Sequence, residues 1–352
     1  MITASSDVTN IQTERQSLLQ FRKGLTDEAN RQSIWTGVEC CEWKGVGCDR
    51  RNTHVVKLDL RSPLSFMDDN TLNTSNWLEG KVSPSLLNLK HLRYLDLSMN
   101  NFSRQNIPEF FGSFKYLEYL NLSYSGFSGV VPPYLGNLSR LKYLDLKHLN
   151  RYDIVFLPYD VSLMVKDDLR WVSLLSSLKH LDVSGITIGN HIDWFYLVSV
   201  LPFLLTLNLA SCDINISPKT LINFTSLDSL NIYGNYISST IPVWLSNLTD
   251  LVNLNLKDNN FHGRIPDSIG NLSSLSSIDL SFNHLSGGIP SSLGDLSSLR
   301  VISLCSNQLS GSIPKSIGLL MRLQELFFCY NNLSGSIPGS IGLLTRLQEL
   351  DL

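Results

Sequence analysis

The chain is short of the features that would mark several large protein classes. It has no long run of charge of either sign, and 28 Lys and Arg stand against 31 Asp and Glu. A near-neutral, interspersed surface argues against nucleic acid or an anionic membrane as the main partner. Long apolar runs are absent as well. The most apolar stretch, FYLVSVLPFLLTLNLA (Phe195–Ala210), is too short to span a bilayer and is broken by Ser199, Pro202, Thr206 and Asn208. The opening MITASSDVTN has neither a basic n-region nor an apolar h-region, so it does not read as a signal peptide. There is no HExxH, no GxSxG, no P-loop glycine pattern and no paired CxxC. Acids and histidines are scattered over polar positions. No enzyme is therefore expected, and no cofactor or metal.

What the chain does have is a beat. The phrase LxxLxL starts at Leu92, Leu117, Leu141, Leu178, Leu204, Leu227, Leu251, Leu275, Leu299, Leu323 and Leu347. From Leu204 onward the spacing is 23 and then 24 five times, inside the range of leucine-rich repeats. An earlier copy, VVKLDL, lies at Val55–Leu60.

The phrase has a mechanism. Its fourth and sixth places alternate with polar residues, which is the signature of a strand with one buried face. Leu254 and Leu256 should point inward, and Asn253, Asn255 and Lys257 outward. The ninth-place asparagines, Asn235, Asn259, Asn283, Asn307 and Asn331, fall where the chain turns off the strand. Their amides can satisfy turn backbone groups from inside. One coil buries too little to stand alone, so the coils must stack into a solenoid with parallel strands along one concave side.

The remainder of each coil reads FHGRIPDSIGNLSSL (Phe261–Leu275), LSGGIPSSLGDLSSL (Leu285–Leu299) and LSGSIPKSIGLLMRL (Leu309–Leu323). This LxGxIPxxLGxLxxL phrase resembles the plant-specific class of leucine-rich repeats. Ahead of it, TERQSLLQFRKGL (Thr13–Leu25) offers a capping box, Thr13 with Gln16, and an apolar face of Leu18, Leu19 and Phe21. CCEWKGVGC (Cys40–Cys48) follows. The pair resembles the N-terminal cap of plant leucine-rich-repeat receptors. The resemblance implies an α/β solenoid: a right-handed superhelix with a parallel concave sheet and a helical cap. It divides the chain into a disordered start (1–12), a cap (13–54) and about twelve repeats (55–352), the last incomplete. It also implies a Cys41–Cys48 disulfide. The family's first cap cysteine would fall near Asn10 or Ile11, so Cys40 lacks its usual partner and a truncated or replaced N-terminus is expected.

Sequons occur at Asn73, Asn101, Asn121, Asn137, Asn215, Asn223, Asn247, Asn271 and Asn332. With the cap disulfide they suggest an exported protein, and all but Asn121, which falls on a strand, are candidate glycosylation sites.

The beat pauses once among these strands. Leu141 to Leu178 is 37 residues, thirteen more than a coil, which predicts a loop-out over 148–166. It carries Tyr152, Phe156, Tyr159 and Met164, side chains that either contact a ligand or fold back on the flank. The ninth place around it holds Ser125, Leu149, Ile186 and Cys212 instead of Asn. A lengthened interval from Leu58 to Leu95 reads as a surface loop.

On the strand face, Tyr94, Tyr119, Tyr143 and His180 occupy the third place of successive coils, with Tyr124 and His148 at the eighth. An aromatic row of this kind suits protein recognition, although β-propensity alone also favours Tyr on strands. Tyr233, Phe282, Phe327 and Tyr330 lie further along. Cys305 and Cys329 share the seventh place one coil apart. A disulfide is conceivable there, but side chains of parallel neighbours point the same way, which favours two free thiols.

The cap, DDLRWVSLLSSLKHLDVSG and LPFLLTLNLASCDI together resemble receptor-like proteins for microbial elicitors, fungal xylanase among them. That resemblance implies a ligand-binding ectodomain at the extracellular face of the plasma membrane. Its partners would be a protein or peptide elicitor and co-receptor kinases, with no nucleic acid. Anchoring would come from a membrane helix in a segment absent here, since LQELDL (Leu347–Leu352) ends in mid-repeat. A soluble polygalacturonase inhibitor or a receptor-kinase ectodomain acting in development are the alternatives.

Overall fold

The computed structural model describes residues 3–29, 35–51, 53–63, 74–102, 104–148, 163–165, 170–188, 194–215 and 224–352, with 3–10 and 194–195 in backbone only. Tyr152, Phe156, Tyr159, Asn73 and Asn223 lie outside these residues. The chain forms two compact units, Met1–Thr187 and Ile188–Leu352. Among the described residues, no helix is long and apolar enough to cross a membrane.

The first unit opens with helix α1 (Thr3–Lys23). Leu18 and Phe21 are fully buried, and the Asn88 Nδ2 and Ser85 Oγ of the first coil donate to Ser17. The helix begins ten residues ahead of the expected capping box. Thr13 lies inside it, where its carbonyl accepts Ser17 Oγ at 2.9 Å, so neither the disordered start nor the cap at Thr13 is found. Strand β1 (Val46–Cys48) runs antiparallel to β2 (Val55–Asp59) and closes the end of the sheet. Buried Glu14 holds β2 in place by accepting the Val55 N–H at 2.6 Å.

Four parallel strands follow in register: β3 (Tyr94–Asp96), β4 (Tyr119–Asn121), β5 (Tyr143–Asp145) and β6 (His180–Asp182). Period-2 alternation sends Leu58, Leu95, Leu120, Leu144 and Leu181 into the core. The second unit carries seven more strands: β7 (Thr206–Asn208), β8 (Ser229–Asn231), β9 (Asn253–Asn255), β10 (Ser277–Asp279), β11 (Val301–Ser303), β12 (Glu325–Phe327) and β13 (Glu349–Asp351). They too are parallel and in register. Leu254 and Leu256 are buried as the alternation requires. A second parallel sheet lies on the flank, built from the LSG segments, with His262, His284, Gln308 and Asn332 at its strand starts. Each unit is thus a leucine-rich-repeat solenoid.

The rest of the coil follows from its glycines and prolines. Pro242, Pro266, Pro290, Pro314 and Pro338 each stand in extended conformation just before a one-turn 3-10 helix. Gly294 sits where the next coil presses close, because a Cβ there would lie 2.5 Å from the Ser316 carbonyl.

The ninth-place asparagines are fully engaged. Asn259 donates to the carbonyls of Ile232, Leu256 and Lys257, and its Oδ1 accepts the N–H groups of Asn235 and Ile237. Asn100, Asn235, Asn283 and Asn307 make comparable sets. Where Asn is replaced, other solutions appear. Ser125 donates to the Leu122 carbonyl, and Ile186 is buried as plain core.

The eighth place was not legible as a backbone requirement. It is left-handed in Met99, Tyr124, Ser211, Asp258, Phe282, Ser306 and Tyr330, with φ between 52° and 56°, and in Gly185 and Gly234.

The loop-out is narrower than 148–166. His148 remains in the coil, where its N–H donates to Ser184 and its ring is buried. Leu163–Met164 is already back on the flank, pairing with Gly129–Val130, and Leu163 is buried. The Cys41–Cys48 disulfide is present with Cα atoms 5.5 Å apart, and Cys40 is a free, buried thiol. Cys305 and Cys329 are not free: they are joined, with Cα atoms 4.6 Å apart. Register brings the two side chains side by side, and pointing the same way is no bar to a bond at that separation.

Candidate ligand-binding face

The register of β2 to β6 lines up the third place of each coil. Lys57, Tyr94, Tyr119, Tyr143 and His180 are consecutive partners across the sheet. Strands ~4.8 Å apart leave room for rings to stack with slight tilt. Tyr94 and Tyr119 stack at 4.1 Å, Tyr119 and Tyr143 at 4.3 Å, and Tyr143 and His180 at 4.1 Å, with planes within 12°. Lys57 Nζ caps the row 4.6 Å from the centre of the Tyr94 ring. The four rings form one continuous ladder, half-buried by mutual contact.

The fifth place lies beside the ladder. Each Asp or Asn there uses one oxygen to accept the N–H of the seventh residue: Asp96 for Ser98, Asn121 for Ser123, Asp145 for Lys147 and Asp182 for Ser184. The second oxygen of Asp96 accepts the Tyr94 and Tyr119 hydroxyls at 3.3 and 3.4 Å. That of Asp145 accepts the Tyr143 hydroxyl at 3.4 Å. The phenols are held firmly protonated. Burial, followed by the charge of Asp96, raises the Tyr94 pKa, and burial with Asp145 does the same at Tyr143. Burial first and the charge of Asp182 second push Asp145 up to about 7.

The other expected residues are placed differently. Tyr124 sits at the left-handed corner, with Lys147 Nζ 5.4 Å from its ring centre. His148 does not join the face: its Nε2 lies 3.1 Å from the Phe127 carbonyl, inside the coil. In the second unit, Phe282 and Tyr330 are 52% and 84% exposed without forming a ladder. The third place there holds Ser229, Asn253, Ser277, Val301 and Glu325, lining a shallow groove of about 430 Å³.

Of the expected glycan sites, Asn137, Asn247 and Asn271 occupy one equivalent place, at the end of a 3-10 turn, and are exposed. Asn215 and Asn332 are exposed too, whereas Asn101 is half-buried with its Nδ2 on Glu79. A second ring ladder escaped the sequence reading. His54, His91 and Tyr116 stack at 3.8 and 5.7 Å, with Arg140 4.9 Å from the centre of the last ring. The signal lies one residue ahead of each phrase, before Val55, Leu92, Leu117 and Leu141.

Fold and repeat define a leucine-rich-repeat protein. The Leucine rich repeat N-terminal domain family matches residues 11–49, and Leucine rich repeat families match 225–285, 91–114, 116–138, 298–320 and 322–344. The chain is 44% identical over 206 residues to Receptor-like protein EIX1 of Solanum lycopersicum, covering 57% of this chain and 19% of that one. It is 50% identical over 123 residues to Receptor-like protein EIX2 of the same species, covering 35% and 12%. This chain therefore spans less than a fifth of the length of either relative in these matches. Among solved structures, a plant peptide hormone receptor, RGFR1 in complex with RGF2, aligns with a TM-score of 0.70 and 31% identity over 88% of this chain and 48% of that one. The chain is a leucine-rich-repeat protein similar to plant receptor-like proteins, EIX1 and EIX2 among them.

Proposed function

We propose that this chain is a ligand-binding stretch of the extracellular domain of a receptor-like protein that recognises a microbial protein or peptide elicitor in plant defence. The observation that carries the reading is the Tyr94–Tyr119–Tyr143–His180 ladder. Stacked rings with anchored hydroxyls are already ordered, so a partner gains aromatic contact at little cost in side-chain entropy. Two disulfides fit an oxidising compartment, and exposed sequons at Asn137, Asn247 and Asn271 lie off the strand face. Co-receptor kinases and a membrane anchor belong to the complete receptor in this reading.

The test uses purified fungal xylanase as the probe in biolayer interferometry against this chain. Tyr119→Ala with Tyr143→Ala removes the middle of the ladder and should weaken binding at least tenfold, about 1.4 kcal/mol or more. Tyr134→Ala, on an exposed position of a 3-10 turn, should leave binding unchanged. Equal binding by the ladder variant refutes the site, and no binding by the unsubstituted chain refutes xylanase as its ligand.

A further inference from the structure

We propose that Asp145, His180 and Asp182 form a binding site for a divalent transition-metal ion, of the zinc or manganese class, on the strand face of the first unit. The sequence reading expected no metal. Register adds the geometry: β5 and β6 are neighbours with Tyr143 opposite His180 and Asp145 opposite Asp182. One oxygen from each carboxylate and a ring nitrogen of His180 all lie within 4.8 Å of one another. Ligand atoms around a tetrahedral zinc stand roughly 3.3 Å apart, so modest side-chain rotation closes the set.

The surroundings already orient the donors. Asp145 Oδ1 is fixed by the Lys147 N–H at 2.9 Å, and Asp182 Oδ1 by the Ser184 N–H and hydroxyl at 2.9 and 2.6 Å. Those bonds hold the carboxylate planes, and the second oxygen of Asp145 also accepts the Tyr143 hydroxyl at 3.4 Å. Stacking on Tyr143 at 4.1 Å sets the plane of the imidazole. Outer contacts of this kind are what hold metal ligands in place. Two neighbouring carboxylates repel, and a bound cation removes that repulsion.

The donor set chooses the ion. An imidazole with two carboxylates suits zinc or manganese, whereas calcium and magnesium call for all-oxygen shells. Elsewhere in the same column the set differs. Asp96 stands between Asn121 and Asp59, and Asp59 is engaged by Lys57 and Arg61 at 3.3 and 3.2 Å. His180 supplies nitrogen where the preceding coils supply phenol. The inference stands independently of the receptor reading.

Isothermal titration of the EDTA-treated chain with zinc chloride tests it. His262 and His284 are register partners on the flank sheet and offer a competing surface site, so both are replaced by alanine in the background. One zinc per chain should bind in that background, with magnesium chloride giving no heat of binding. Asp145→Asn and His180→Ala should each weaken zinc binding at least tenfold. Asp145→Asn relieves the carboxylate repulsion and keeps an oxygen for Lys147, so it folds, and circular dichroism verifies that. No zinc bound in the flank-substituted background, or undiminished affinity in both site variants, overturns the proposal.

Discussion

Replacing Asn259 by alanine isolates what the ninth-place ladder contributes. Its amide donates to three carbonyls, and each retains another partner when the side chain goes. Ile232 still accepts from Asn235 Nδ2, Leu256 from Asn283 Nδ2 and Lys257 from the Gly234 N–H. The loss falls on the acceptor side. The N–H groups of Asn235 and Ile237, bonded to Asn259 Oδ1 at 3.2 and 3.0 Å, are left without it in a site 5% exposed. At about 1–2 kcal/mol for each buried orphan N–H, the cost is about 2–4 kcal/mol. Urea unfolding of the chain and its variant measures the difference. Stacked repeats can unfold piecemeal, so amide hydrogen exchange is read in parallel. Protection should fall first at Ile237 and Asn235, not at Leu326 three strands further along the same unit. A cost below about 1 kcal/mol, or loss of protection spread evenly along the chain, would refute the reasoning.

Further tests reach the corner, the disulfide and the acid pair. Gly234→Val puts a branched residue at φ +68° with its Cβ about 3.0 Å from Ser211 Oγ, and should cost about 1–2 kcal/mol in thermal unfolding. Cys305→Ala with Cys329→Ala opens a 24-residue loop, and should cost about 3 kcal/mol. Non-reducing peptide mapping of the unsubstituted chain should show the two cysteines in one cross-linked fragment. For Asp145, folding raises the carboxyl from its usual 3.8 to about 7. The folded state therefore holds the proton more tightly, and stability falls as pH rises from about 4 through 7, then levels. Asp145→Asn should abolish that fall and gain on the order of 2–4 kcal/mol at pH 8, read from urea midpoints across pH in EDTA.

The leucine core and the Tyr row were legible because a fixed beat forces equivalent places into register. Naming Tyr94, Tyr119, Tyr143 and His180 from sequence needed only that rule. The errors arose where geometry finer than the beat decides. Thr13 and Gln16 satisfy the capping-box spacing, but spacing does not stop a helix from running through from Thr3. Leu163 looked like surplus loop because its partner strand, Gly129–Val130, lies outside the repeat phrase. His148 looked like a surface ring because the sequence does not show that Phe127 offers it a carbonyl within the coil. The Asp and Asn residues of the fifth place are ordinary to the repeat. That is true of one oxygen in each carboxylate, and the sequence is silent about the other.

The fifth place also explains the disulfide that the reading missed. From Asp59 to Asp351, every strand but two carries Asp or Asn there: the exceptions are Ser303 and Phe327. Elsewhere that side chain reaches the seventh-place N–H, as Asn231 does for Tyr233, Asn255 for Lys257 and Asp279 for Ser281. It thereby ties the strand end to its turn. In the two exceptional coils the seventh residues are Cys305 and Cys329, and these are the residues covalently joined. A bond between neighbouring turns constrains the same corner that the missing Asx side chains would have held within each turn. The cost of losing either device is local to the strand end, so one can stand in for the other without disturbing the leucines beneath. The fold's demand is for a restrained corner, and the residue that meets it is left free to vary. That freedom lets some coils carry a carboxylate there, others an amide, and one neighbouring pair a disulfide at the same corner, over an unchanged core.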